Sequence, residues 1–139
     1  MGLAETSAAE VRELHAFFDD WFTGQRPRTD AGLARLENAL GTGFQLLDPE
    51  GDVVPRTAII DAVEQRHGAA TDGQAPDRIE VKAIEPRFVR EEVCLLTYQE
   101  HQRTDGTWRG RRSSALFEAA PDAPGDVVWR HLHETWLPD

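Results

Sequence analysis

Residues 93–118 read VCLLTYQEHQRTDGTWRGRRSSALFE, and the Asp105-Gly106 pair near their middle decides the fold. A tight two-residue hairpin turn of the primed type needs positive φ, which Asp-Gly adopts readily. The flanking runs, 93–103 and 108–118, are therefore expected to pair as antiparallel strands. Upstream, from Arg78, the residues Ile79, Val81 and Ala83 alternate with charged ones, which predicts a half-buried strand. Downstream, residues 121–125 hold two prolines and a glycine and read as a loop. A last strand then runs Val127-Val128-Trp129-Arg130-His131-Leu132-His133-Glu134-Thr135-Trp136. Strict alternation puts Trp129, His131, His133 and Thr135 on one face and Arg130, Leu132, Glu134 and Trp136 on the other.

The first half of the chain has a different period. Ser7 and Glu10 fit a capping box, and Val11, Leu14, Phe18, Trp21 and Phe22 recur at helical steps until Gly24. A second helix is expected from Thr29 or Asp30, with Leu33, Leu36 and Leu40 on one face and a stop at Gly41. Residues 44–47 read as a short strand, followed by a turn at Asp48-Pro49-Glu50-Gly51. Pro55 suits a first helical position. Ile59, Ile60 and Val63 give that third helix its apolar face, Gly68 ends it, and residues 69–77 form a loop. Helices followed by a run of strands imply an α+β fold with the helices on one face of a curved antiparallel sheet. A doubly wound sheet would need strand–helix alternation in the second half, which is absent.

Composition narrows the function. The chain has 139 residues, enough for one domain with its own core. A formal net charge of −10 argues against binding a phosphate backbone and against anionic membrane surfaces. The single cysteine, Cys94, excludes an internal disulfide and reads as a buried strand residue. The first residues lack the basic and apolar regions of a secretory signal, and no run is long enough to span a bilayer, so a cytoplasmic protein is expected.

The element order, the aromatic first helix (Leu14-His15-Ala16-Phe17-Phe18-Asp19-Asp20-Trp21-Phe22) and the ending from Trp129 to Trp136 resemble the NTF2-like superfamily. Within it the chain is most similar to small bacterial SnoaL-like and ketosteroid-isomerase-like proteins of unknown function. The resemblance covers roughly residues 5–138 and rests on topology more than on an invariant signature. It implies a single NTF2-like (cystatin-like) domain over 1–139, a cone-shaped sheet, a homodimer and a small-molecule pocket. It does not imply one chemistry, because members include isomerases, cyclases, dehydratases and silent binding modules.

Several polar residues are candidates for that pocket. Tyr98 and Glu100 share a strand face, as do Arg112 and Ser114 on the next strand. If those faces point inward, Glu100, Arg112 and Glu134 form a polar cluster beneath the Trp21 helix. A carboxylate desolvated there could act as a base or acid near neutral pH. The plainer reading is a Glu100–Arg112 ion pair bracing two strands. Ala115 and Phe117 look core-like and would instead send Arg111 and Ser113 inward, whereas Leu96 and Leu116 argue the other way. Apolar residues on both faces suggest that the convex side is buried in a dimer.

His131 and His133 sit two residues apart on one face and could ligate a metal, or contact a ligand, or simply pack. His15 lies near Val11 and Phe18, which fits a partly buried helix residue or one reaching the pocket. Trp21 and Trp136 are candidate pocket walls, and each is equally suited to a core or subunit contact. Asp19 and Asp20 read as solvated helix charges. The only tyrosine, Tyr98, cannot be matched with an acid partner to the ketosteroid isomerase pattern.

The expected function is thus a small-molecule binder. Trp21, Tyr98, Arg112, Ser114, His131 and Trp136 line the pocket, and Glu100, His133 and Glu134 carry any proton-transfer chemistry without a cofactor. The alternatives are a non-catalytic dimerisation or partner-binding module and a metal site on His131 and His133.

Overall fold

The computed structural model describes residues 2–138. The elements run α1 (Leu3–Phe22), α2 (Asp30–Glu37), β1 (Leu40–Leu47), β2 (Val53–Pro55), α3 (Arg56–Gln65), a 3₁₀ turn (Ala69–Asp72), β3 (Arg78–Arg90), β4 (Val93–Thr104), β5 (Thr107–Ala119) and β6 (Val127–Trp136). One six-stranded sheet has the order β2-β1-β6-β5-β4-β3. The helices cover one face of it, α1 lying against β3, β4 and β6, and α3 against β1. The expected α+β architecture is present, with one difference. The β1–β6 ladder is parallel, so the sheet is mixed rather than wholly antiparallel. These two strands lie far apart in sequence and no hairpin dictates their relative direction.

Asp105 and Gly106 take φ of 50° and 76° and join Thr104 to Thr107 across the turn. The long β4–β5 ladder that follows fixes which side chains face the helices. Cys94, Leu96, Tyr98 and Glu100 are buried along β4, opposite Phe117, Ala115, Ser113 and Arg111 on β5. Burial alternates residue by residue, as half-buried strands require.

The last strand breaks strict alternation. Phe117 pairs with Trp129 and Leu116 with His131, so Arg130 is an extra residue in β6. Such a bulge shifts every later side chain to the other face. Trp129 consequently shares the concave face with Leu132 and Glu134, from which simple alternation separates it. Arg130 turns outward, donating to Glu118 Oε1 at 2.8 Å and to the Thr42 carbonyl at 3.1 Å. Gly41 permits this, because a side chain there would collide with the Arg130 guanidinium.

The α1 stripe packs as expected, with Val11, Leu14, Trp21 and Phe22 buried. The capping box does not form. The helix begins four residues before Ser7, and Ser7 and Glu10 are both fully buried in the helix interior. Glu10 accepts from Arg35 and from Trp129 Nε1 instead. Helix α2 is capped by Thr29, which accepts from the Gly32 amide, and it ends at Glu37 rather than Gly41. Leu40 and Gly41 belong to β1, because pairing with β6 competes there with helix continuation.

Candidate active site

A cavity of about 150 Å³ lies between α1, α2, α3 and the concave sheet face. Its walls are mainly apolar, from Phe18, Phe22, Leu36, Leu40, Phe44 and Leu132 among others. At one end four ionisable side chains converge: His15 from α1, Glu100 from β4, Arg111 from β5 and Glu134 from β6. Register explains the convergence, since Glu100 is directly opposite Arg111 and Glu134 is opposite Ser113 two positions along.

His15 is 5% exposed and bonded at both ring nitrogens. Nδ1 is 2.6 Å from the Val11 carbonyl and Nε2 is 3.1 Å from Glu100 Oε1. Both partners are acceptors, so the ring donates twice and is an imidazolium. Burial opposes that charge, but the Glu100 carboxylate outweighs it and raises the His15 pKa. Glu100 accepts a second bond from Gln102 Nε2 at 2.6 Å. Burial alone would raise its pKa, yet the charges of His15 and Arg111 bring it down to about 2.

Glu134 behaves in the opposite way. Arg111 Nη1 donates to its Oε1 at 2.9 Å. Desolvation and the neighbouring Glu100 charge prevail over that contact and raise its pKa to about 7. One carboxyl is thus held ionised and the other is poised near neutrality. Arg111 stays charged, its guanidinium lying 4.9 Å from the Trp136 ring centroid. Its Nε, like Tyr98 Oη and Ser113 Oγ, is buried without a hydrogen-bond partner among the described residues. Burial, reinforced by the two carboxylates, pushes the Tyr98 phenol well above its ordinary value.

The nine sequence candidates separate sharply. Glu100 and Glu134 face the cavity and meet there through Arg111 and His15. Tyr98 lies just behind them, its ring edge-on to His15 at 5.5 Å, but it does not line the cavity. Arg112 and Ser114 are on the convex face, because Ala115 and Phe117 take the core side and Arg111 and Ser113 go with them. The bulge at Arg130 sends His131 and His133 to the convex face as well, opposite Leu116 and Ser114. Among the described residues no group of three His, Cys, Asp or Glu side chains could hold a metal ion, so those two histidines have no third donor. Trp21 is core: it stacks on Phe17 and donates to the Val63 carbonyl at 2.7 Å. Trp136 sits at the rim between Arg109 and Arg111 and donates to Glu50.

His15 and Arg111 complete the site. The signal for Arg111 was the apolar parity of Ala115 and Phe117. For His15 it was its position on the aromatic face of the first helix.

Residues 7–138 match the model of the sucrose-6-phosphate phosphohydrolase C-terminal family. The chain belongs to that family. The chain is 23% identical over 131 residues to the probable sucrose-phosphatase 3a of Arabidopsis thaliana, a match covering 94% of this chain and 30% of that protein. This family member therefore spans about a third of the length of the curated relative it matches. Its fold is shared with an NTF2-like protein of unknown function from Pseudomonas aeruginosa, at TM-score 0.82 and 23% identity over 96% of this chain and 99% of that one. A candidate ketosteroid isomerase from Parabacteroides distasonis matches at TM-score 0.63 and 10% identity, covering 98% and 89%. The CaMKII hub of S. rosetta matches at TM-score 0.65 and 10% identity, covering 99% and 98%. The expected NTF2-like fold is the one this family member adopts. No helix among its described residues is long and apolar enough to cross a membrane.

Proposed function

We propose that the chain binds a small, partly apolar organic molecule in the cavity and exchanges a proton with it. The observation that carries this reading is the convergence of His15, Glu100, Arg111 and Glu134 at one end of an otherwise apolar space. Burying four ionisable groups together is unfavourable unless they pair, and here they pair only in part. Glu134, with its pKa near neutrality, is the acid or base. Arg111 stabilises negative charge developing on the substrate, and the His15–Glu100 pair holds the local field. The chemistry that fits is cofactor-free proton transfer of the isomerase, cyclase or dehydratase kind.

Size limits the ligand. A cavity of about 150 Å³ suits a molecule the size of one aromatic ring with a short substituent. A phosphorylated disaccharide, the kind of substrate for which the family is named, is far too bulky and polar for it. Native mass spectrometry of the gently purified protein tests the reading. It should reveal a small organic adduct that disappears when Leu132→Trp fills the cavity. An adduct that survives the filling rules the cavity out as its site.

A second reading is favoured by the relative's length. In the probable sucrose-phosphatase the matched region is only 30% of the chain, which suits an accessory or assembly module. Phe88 and Val89, 54% and 46% exposed on edge strand β3, suit a homodimer or larger homo-oligomer. Sedimentation over a range of concentrations checks this, and a monomer throughout would remove it.

A further inference from the structure

Arg111 is the least satisfied charged group in the cavity. It gives Nη1 to Glu134, while its Nε is buried and bonded to nothing among the described residues. A guanidinium presents its donors in a planar fork that matches a carboxylate two bonds at a time. Tyr98 and Ser113, directly opposite each other on the same sheet face, lie behind Arg111 and do not line the cavity. A buried guanidinium with unmet donor capacity beside an apolar space suits an acceptor supplied by a ligand.

The charge balance selects the acceptor. His15 and Arg111 are positive, and Glu100, bonded to His15 and Gln102, is negative. Glu134 carries the remaining variable charge, with only its Oε1 engaged. The groups facing it are His15 from α1, Glu100 and Tyr98 from β4, and Arg111 from β5. Helices α2 and α3 and strand β1 contribute only apolar side chains to the cavity. A cation would meet two existing positive charges. A phosphate dianion would bring two negative charges next to Glu100 and Glu134. A single carboxylate balances the set once Glu134 takes a proton from solvent, and the protonated carboxyl then donates to the ligand.

We propose that the occupant is a small apolar monocarboxylate, its carboxylate received by Arg111 and Glu134 and its hydrocarbon part by the apolar wall. This rests on the small-molecule reading of the cavity and names the ligand class. Binding is coupled to uptake of one proton by Glu134, which bridges two carboxyl groups that would otherwise repel.

Titration calorimetry on the full chain tests it, with benzoate and 3-methylbutanoate set against benzamide and benzyl alcohol. Runs in buffers of different ionisation enthalpy give the proton count. The carboxylates should bind about tenfold or more tighter than benzamide, as expected for bonds to a charged group. Proton uptake should approach one per ligand at about pH 8, where Glu134 starts ionised. Glu134→Gln keeps the acceptor for Arg111 and should bind the carboxylates with no proton uptake. Arg111→Lys, checked for folding by its melting curve, should lose most of the preference for carboxylate over amide.

If the amide or alcohol binds as well as benzoate, the carboxylate proposal falls while the pocket reading stands. If none of the four binds, both fall. Carboxylate binding without proton uptake in the unaltered protein overturns the role given to Glu134.

Discussion

Two buried acid clusters lie on the same side of the sheet and differ in one respect. Glu10, fully buried on α1, accepts from Arg35 Nη2 at 2.6 Å, from Arg35 Nη1 at 3.2 Å and from Trp129 Nε1 at 3.0 Å. Three bonds tie α1 to α2 and β6, and Gly125 approaches so closely that a side chain there would strike the carboxylate. Glu134, equally a carboxylate among aromatic and aliphatic groups, has one bonded oxygen, a charged acid neighbour and a cavity beside it. The first cluster is closed and acts as a bolt. The second is open, and its unmet hydrogen-bonding capacity is what a ligand can use. Burial of charge does not by itself mark a functional site; incomplete satisfaction next to empty space does.

The sharpest way to break this contrast is to remove Glu10. Glu10→Ala leaves the Arg35 guanidinium and the Trp129 N–H without their partner, and should destabilise the fold by about 3–5 kcal/mol. Denaturant unfolding measures it, and a loss no larger than that of a surface substitution would show that the cluster is not structural.

The open cluster predicts a pH effect instead. Folding raises the proton affinity of Glu134 from about 4.5 to about 7, so the folded state favours the protonated carboxyl. Its contribution is complete below about pH 4.5 and is lost as the pH rises to about 7. Across that window the unaltered protein should lose up to about 3 kcal/mol relative to Glu134→Gln. Glu100 works the other way and in a lower window, its contribution vanishing as the pH falls from 4.5 towards about 2. Paired unfolding curves of the two proteins from acid to neutral pH check this, and parallel curves would refute the shift.

Smaller effects refine the comparison. Tyr98→Phe removes a buried hydroxyl without a partner and should raise stability by about 1 kcal/mol in the ligand-free protein. A loss of that size would reveal a bond to Tyr98 in solution. On the convex face, Arg112→Ala and His133→Ala should each change stability by less than about 0.5 kcal/mol and leave ligand binding intact. Either one abolishing binding would place the site on the wrong side of the sheet.

Most of the fold was legible because its signals are local. The Asp105-Gly106 turn, the alternation along β4 and β5 and the 3.6-residue stripe of α1 each depend on neighbours a few positions away. The alternation read along β3 stops at Ala83, which is exposed at a bulge with φ of 54°. Pro55, read as a first helical position, instead ends the unforeseen strand β2 and caps α3. Two other local readings that failed, the capping box at Ser7 and the helix stop at Gly41, did so because long-range partners prevailed. Arg35 and Trp129 captured Glu10, and β6 captured Leu40 and Gly41 as a strand.

The site was half legible. Glu100 and Glu134 follow from acidic residues set in apolar strands. Arg111 was visible only through the competing parity of Ala115 and Phe117, and the choice between it and Arg112 was open. His131 and His133 drew attention by composition, yet the bulge at Arg130 turned them outward. Because a strand's side chains alternate with period two, one extra residue reverses every face beyond it.

The sequence by itself determined the element order, the hairpin register around Asp105-Gly106 and the presence of acids within apolar strands, since these depend on propensity and period. Only the tertiary structure decided which acids meet, that β1 runs parallel to β6, and that His15 from the first helix closes the pair with Glu100. Those outcomes depend on contacts between residues as many as 119 positions apart, such as Glu10 with Trp129. No local pattern encodes them.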